Sequence, residues 1–121
     1  MSTIAMRAAI GAVLLGAVAL PASAADIGGR YSVSGTNFDG SHYGGTAEIV
    51  VTTKNTCRIT WDTGSTAEGI CMRNSNAFAA AYSMGDVVGL VIYELHDDGT
   101  LEGLWTVADQ EGVGTETLTP Q

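Results

Sequence analysis

The chain has 121 residues, of which 45% are hydrophobic, and its 13 acidic against 5 basic side chains give a formal net charge of −8. This excess of negative charge disfavours partners that present phosphate groups, so we expect neither nucleic acid nor an anionic membrane surface as a partner. The length predicts one small domain, which a disulfide or a closed sheet would help to stabilise.

Residues 1–24 have the pattern of a signal peptide. Arg7 supplies a positive charge, residues 8–20 carry none, and Pro21-Ala22-Ser23-Ala24 ends in an A-x-A pattern. The apolar stretch is shorter than the roughly 20 residues of a membrane-spanning helix, and small residues stand where a peptidase cuts, which disfavours an uncleaved anchor. We expect cleavage after Ala24, a single periplasmic or secreted domain at residues 25–121, no membrane span, and, with Arg7 lost (−8 − 1), a mature charge of −9.

From residue 25 onwards, glycine-containing turns separate short segments in which apolar and polar residues alternate. Such alternation is typical of antiparallel strands with one buried face. Eight consecutive strands predict an all-β up-and-down meander, and closure into a small barrel removes both exposed edges. The expected strands are residues 30–35, 46–53, 57–62, 66–73, 77–83, 87–96, 100–108 and 113–119.

Cys57 and Cys71 lie equally far from Gly64, so a hairpin with loop 63–65 places them opposite each other. An exported protein keeps such a pair oxidised, and we expect a disulfide that pins this register. A competing two-residue turn would shift Trp61 to face Glu68. Two cysteines and two histidines with no spacing relation do not make a zinc site, so no metal is expected.

The turn at Asp98-Gly99 fixes a second register. A three-residue loop with Gly99 in the left-handed region places Leu95 opposite Leu101 and Tyr93 over Gly103. The competing two-residue turn would bring Glu94 onto the face of Trp105 and bury a charge without an evident partner. The first register is therefore expected.

The same alternation predicts an interior in which large aromatic side chains intersperse with glycines, as a narrow and strongly coiled barrel requires. Eight strands lie at the boundary between a filled interior and a ligand-holding one, and we favour the filled interior. The expected interior residues are Tyr31, Val33, Ala47, Ile49, Val51, Ile59, Trp61, Phe78, Ala80, Tyr82, Val91, Tyr93, Leu95, Leu101, Trp105, Val107 and Leu118, with Gly35, Gly69, Gly89, Gly103 and Gly114.

Glu116 alternates with Gly114 and Leu118 and is therefore expected inside the barrel. An ionised carboxylate there needs hydrogen-bond donors. Two roles stay open for it: a structural network that ties the last strand to the first, which we favour, and an anchor for a ligand. The candidate donors are the hydroxyls of Tyr31, Tyr82 and Tyr93, the indole N–H of Trp105, and Arg30.

Leu90, Ile92 and Leu104 are expected side by side on the outer face, with Ile92 directly opposite Leu104. Neighbouring large aliphatic side chains on an acidic domain predict a surface for a protein partner or a homodimer. The alternative is that these residues reflect β-propensity alone and are covered by nearby side chains.

Residues 36–45 are expected to form a long loop at the barrel mouth, with Phe38, Asp39, His42 and Tyr43 as candidate binding residues. Ser41, His42 and Asp39 are too close in sequence to predict a hydrolase, whose triad groups converge from separate elements. The aspartates before Gly99 lack the ligand spacing of a calcium loop. We expect no catalytic residue, no cofactor and no enzymatic activity.

Four segments carry a resemblance to a known family: GRYSVSGTNFDGS at 29–41, Trp61, DGTLEGLWT at 98–106 and GTETLTP at 114–120. Over nearly the whole mature chain the sequence resembles short exported bacterial proteins called fibronectin-binding proteins. Their expected architecture is similar to avidin-like and lipocalin-like barrels. The resemblance implies a binding function but assigns no residue-level site, and Cys57 and Cys71 are not part of the family pattern.

The expected export, the negative net charge and the predicted barrel are compatible with three classes of function. We favour an adhesion module that recognises a protein partner, as the family resemblance implies. The first alternative is a carrier of a small apolar ligand, with its site at the barrel mouth. The second is an inhibitor of a basic exported enzyme, whose encounter the negative charge would accelerate.

Overall fold

The computed structural model describes residues 26–121, so the expected signal peptide lies outside the described residues. Eight antiparallel strands follow one another around a closed barrel, and the last pairs with the first. The expected all-β meander is therefore confirmed. The strands are β1 (Gly29–Thr36), β2 (His42–Val51), β3 (Thr56–Asp62), β4 (Thr66–Asn74), β5 (Ala77–Met84), β6 (Val87–Leu95), β7 (Leu101–Val107) and β8 (Gly114–Pro120).

Strand β2 corrects the sequence-based expectation, because it begins at His42 and not at residue 46. Gly44 and Gly45 do not end the strand; they pair with Ser34 and Val33 of β1. The expected loop 36–45 is thus only residues 37–41, and His42 and Tyr43 are strand residues. The short loop is closed by a 2.8 Å hydrogen bond from the Asn37 amide to the Ser41 carbonyl.

Both expected turn registers are confirmed. Leu95 pairs with Leu101, and the His96 amide donates a 2.9 Å hydrogen bond to the Thr100 carbonyl. Cys57 pairs with Cys71 across β3 and β4, where the expected disulfide joins Cα atoms 5.0 Å apart. Both cysteines are buried, so the disulfide is part of the core.

The barrel has two distinct ends. The upper end carries the connections 37–41, 63–65, 85–86 and 108–113, and the lower end carries 52–55, 75–76 and 96–100. Ile27, which precedes β1, is buried against the core, and its carbonyl accepts a 2.6 Å hydrogen bond from the Tyr31 hydroxyl. The largest fully buried side chains are Phe78, Ile49, Ile59, Leu101, Leu118 and Val91.

Val51 corrects the predicted interior set, because 51% of it is exposed. It is the last residue of β2, two residues beyond the buried Ile49, where the lower rim opens to solvent. Tyr82, Leu95 and Trp105 are partly buried and pack against the core. Among residues 26–121 no helix is long and apolar enough to cross a bilayer.

Candidate functional site

The upper half of the barrel contains a cavity of about 280 Å³, and the expectation of a filled interior is wrong for this half. Ala67 leaves room beside Trp61, its partner across β3 and β4. The lining combines four aromatic rings, three other apolar side chains and Glu116, with small polar side chains at the mouth. The lining residues are Asn37, Tyr43, Trp61, Thr63, Ser65, Ala67, Tyr82, Met84, Val91, Trp105 and Glu116.

Glycines explain why the large rings leave this space open. A Cβ atom at Gly35, Gly89 or Gly114 would overlap the ring that faces it. These glycines are the direct cross-strand partners of Tyr43, Tyr82 and Trp105, respectively. Each ring therefore lies flat against the neighbouring strand, which keeps it along the wall and out of the lumen.

Glu116 supplies the acidic group of the cavity wall, and only 7% of it is exposed. Its Oε1 accepts a 2.7 Å hydrogen bond from the Tyr43 hydroxyl. Its Oε2 accepts a 2.8 Å hydrogen bond from Trp61 Nε1 and a second from the Tyr93 hydroxyl. Four strands, β2, β3, β6 and β8, thus meet at one carboxylate, and its three side-chain partners are all neutral.

The same charge acts on the surrounding tyrosines. Burial, followed by the negative charge of Glu116, raises the pKa of Tyr82 to about 12. The same two causes raise the pKa of Tyr43 and of Tyr93 well above the usual value. These hydroxyls therefore keep their protons at neutral pH, and those of Tyr43 and Tyr93 act as donors to the carboxylate.

The partners of Glu116 differ in part from those expected. Tyr93 is the one expected donor that reaches it. Tyr31 donates to the Ile27 carbonyl, Tyr82 to the Thr106 carbonyl at 3.2 Å, and Trp105 Nε1 to the Thr115 carbonyl at 3.2 Å. Arg30 is exposed near the lower end of β1.

Sequence reasoning missed Tyr43 and Trp61 as partners of Glu116. Tyr43 had been placed in a loop, and Trp61 reaches Glu116 across the lumen. Turn registers do not specify such contacts, because they define only which residues oppose each other on adjacent strands. The available signal for Trp61 was the alternation of its strand, which points this side chain into the barrel.

The mouth of the cavity is bordered by a second aromatic cluster. Phe38 stacks on Trp105 with ring centroids 4.8 Å apart, and Tyr43 meets Trp105 edge-on at 6.2 Å. Asp39 accepts hydrogen bonds from the amide and hydroxyl of Ser41, which lower the pKa of its carboxyl. Asp39 therefore orders the loop, and His42 is exposed at the start of β2.

The outer face of β4 to β7 is apolar. Leu90, Ile92 and Leu104 are 59%, 62% and 50% exposed, and Ile92 lies opposite Leu104 as expected. On β5, two alanines pair with Leu90 and Ile92. On the other side, the same alanines pair with the exposed Ile70 and Met72 of β4, so the apolar surface continues onto that strand. The apolar face is thus larger than the sequence indicated.

Elsewhere, carboxylates lie in solvent. Glu94 pairs with Glu102 on the outer surface, and Glu102 also meets His96 Nε2 at 3.1 Å. In the part of the chain that the structure describes, no cluster of three or more His, Cys, Asp or Glu side chains is arranged to hold a metal ion.

Fold and site together define a small closed β-barrel with a partly open cavity at one end. Neither a protein-family model nor a curated protein matches the sequence. A redesigned β-barrel matches with a TM-score of 0.71 and 18% identity, covering 81% of this chain and 95% of the other. Another redesigned β-barrel, bound to DFHBI, matches with a TM-score of 0.68 and 21% identity, covering 79% and 97%. The REP1-NXSQ fatty acid transporter matches with a TM-score of 0.52 and 16% identity, covering 81% and 98%. These identities establish a shared fold alone.

Proposed function

We propose that the protein binds a small molecule in the upper cavity of the barrel. The observation that carries the proposal is the buried carboxylate of Glu116 on the wall of a cavity of about 280 Å³ whose lining also includes four aromatic rings. An apolar pocket with one fixed polar group is the usual form of a small-molecule site. Two proteins of the same fold support it: one is a redesigned β-barrel bound to DFHBI, and the other is a fatty acid transporter.

The half-buried rings favour a ligand role over a purely structural one. A structural network needs only Glu116 and its donors, whereas Tyr82 and Trp105 remain partly exposed toward the cavity without contacting the carboxylate. Covering aromatic surface of this kind is favourable by roughly 25 cal/mol per Å². A ligand of matching size gains this free energy.

Filling the cavity tests the proposal directly. Ala67→Leu places a larger side chain beside Trp61 inside the cavity, and Ala79→Leu makes the same change on the exposed outer face as a matched control. The neutral probe N-phenyl-1-naphthylamine, which fluoresces more strongly in an apolar site, should bind saturably to the wild type and to Ala79→Leu. Ala67→Leu should lose at least about tenfold in affinity, because it occupies the same space. Equal binding by all three proteins would contradict the proposal, as would wild-type protein that binds no small apolar or amphiphilic probe.

The expected export completes this picture. Cleavage after Ala24 would deliver the barrel as a periplasmic or secreted binding protein, which acts by binding and not by catalysis. Intact-mass measurement of the protein recovered from periplasm and medium tests the cleavage. A mass that retains the leader would contradict it.

A second candidate function is protein recognition through the apolar outer face, as the resemblance to fibronectin-binding proteins implies. Its support is the exposure of Leu90, Ile92 and Leu104 on adjacent strands. Ile92→Asp should abolish capture by immobilised fibronectin, whereas Val50→Asp, on the outer face of β2 opposite Arg58, should not. Sedimentation of both variants distinguishes a homodimer, which only Ile92→Asp would disrupt. Unchanged capture and sedimentation for Ile92→Asp would exclude this face as the contact.

A further inference from the structure

We infer that the upper cavity selects a small organic cation, with an ammonium group carried on an apolar body. The inference rests on the proposed function, since it names the ligand class of the same site. Three features of the structure carry it: the acceptor left free on Glu116, the aromatic walls, and the distribution of charge between the two barrel ends.

Glu116 retains capacity for one more donor. A carboxylate offers about four acceptor positions on its two oxygens. Oε2 accepts from Trp61 and Tyr93, whereas Oε1 accepts from Tyr43 alone. A ligand N–H can therefore reach Oε1 from the cavity. Because the three protein partners are neutral, only a cationic ligand would neutralise the buried charge, and a ligand carboxylate would be repelled.

The walls beside Glu116 suit the same ligand. Trp61 and Tyr82 pack edge to face with centroids 5.3 Å apart, and Tyr43 and Trp105 form a second such pair. Aromatic faces attract ammonium groups through their quadrupole, most strongly where water is excluded. The carboxylate and the aromatic faces can contact the ammonium group of a ligand from several sides. The remaining apolar surface of the cavity can contact the hydrocarbon part of the ligand.

The two barrel ends differ in charge. The upper loops and strand ends carry Asp39, Asp62, Asp86, Asp109 and Glu111. The lower end also carries acidic side chains, among them Asp26, Asp97 and Asp98, but the Lys and Arg side chains of residues 26–121, at positions 30, 54, 58 and 73, all lie nearer that end and offset them. The resulting field attracts cations to the mouth and repels anions.

Three ligands of nearly equal shape test the inference: 2-phenylethylamine, 2-phenylethanol and 3-phenylpropionate. The chain has 2 tryptophans, Trp61 and Trp105, and both line the cavity, so intrinsic tryptophan emission reports binding. We expect the amine to bind the wild type at least about tenfold more tightly than the alcohol, and the acid most weakly. The preference should persist in about 0.5 M salt, because salt screens the rim charges but not a buried carboxylate.

Glu116→Gln provides the matched variant, since it keeps the shape and removes the charge. It should lose the preference for the amine, so that the amine binds no more tightly than the alcohol. Wild-type protein that binds the alcohol or the acid as tightly as the amine would overturn the cation inference and leave the proposed function standing. The same holds if the three ligands fail to bind while N-phenyl-1-naphthylamine binds. Failure of all four probes on the wild type would overturn the proposed function itself. The wild-type comparison decides the inference even if Glu116→Gln does not fold.

Discussion

Replacing Glu116 by alanine removes one acceptor and leaves three donors inside the barrel. Trp61 and Tyr93 are 6% and 4% exposed, so their N–H and O–H groups have little access to bulk water. Tyr43 is less affected, because its hydroxyl lies 3.3 Å from the Thr115 carbonyl oxygen, to which it can donate once the carboxylate is gone. The variant therefore leaves two hydrogen-bond donors in the core without an acceptor.

The size of the effect follows from these two donors. An unsatisfied buried donor costs about 1–3 kcal/mol, which gives roughly 2–6 kcal/mol for the pair. Water from the adjacent cavity can occupy the space of the lost carboxylate and accept hydrogen bonds from some of these donors. We therefore expect the free energy of unfolding to fall by about 2–4 kcal/mol. A domain of this size has a free energy of unfolding of about 5–15 kcal/mol, so the fold survives the change.

Urea unfolding followed by tryptophan emission measures this loss, and Glu116→Gln is the control. The glutamine carbonyl oxygen can still accept from Trp61 and Tyr93, and the Tyr43 hydroxyl can rotate to accept from the new amide. We expect Glu116→Gln to retain at least about half of the lost stability. In a double-mutant cycle, Tyr93→Phe should cost at least about 1 kcal/mol less in the Glu116→Ala background than in the wild type. A change within about 0.5 kcal/mol for Glu116→Ala, or a cycle without coupling, would refute the network.

The remaining predictions concern the disulfide, the tyrosines and the glycine beneath one ring. The double variant Cys57→Ala/Cys71→Ala should lose about 3 kcal/mol in urea unfolding, since the bond closes a loop with a sequence separation of 14; a loss below about 1 kcal/mol would contradict this. All 4 tyrosines have raised pKa values in the folded protein, that of Tyr82 being about 12. As the pH rises, the unfolded chain therefore releases these protons before the folded protein does. The free energy of unfolding should be unaffected below about pH 10 and should fall as the pH rises above it. Tyrosinate absorbance appearing near pH 10 while the barrel is still folded would refute that order. Gly89→Ala should push the ring of Tyr82 into the cavity and weaken N-phenyl-1-naphthylamine binding; unchanged binding would show that the ring does not depend on the glycine.

Local sequence rules account for most of the fold. Turn chemistry around Gly64 and Gly99 set two registers, and alternation then placed every strand except β2 to within one residue at each end, because a shift by one residue would turn the buried face outward. The disulfide followed from the same register. β2 was misjudged at its start because Gly44 and Gly45 look like a turn, yet the pairing with β1 holds them in the sheet.

The site was less accessible from sequence. The inward direction of Glu116 followed from alternation, but its donors come from strands on other sides of the lumen. Which residues meet across a barrel depends on strand tilt and stagger, and adjacent-strand registers must be combined around the whole barrel to obtain them. The cavity was missed for a related reason. The ring volumes indicated a filled core, whereas the opposed glycines let Tyr43, Tyr82 and Trp105 lie flat against the wall.

The most direct test of the ligand site is a nitrogen–proton correlation spectrum of labelled protein during titration with 2-phenylethylamine. The spectrum contains two indole N–H signals, because the chain has 2 tryptophans, and the N–H of Trp61 donates to Glu116 while that of Trp105 donates to Thr115. The account predicts that both indole signals shift saturably with one affinity, while the methyl signals of Leu90, Ile92 and Leu104 on the outer face, followed in a carbon–proton spectrum, stay in place. Indole signals that do not move, or shifts confined to the outer face, would contradict a ligand site in the barrel.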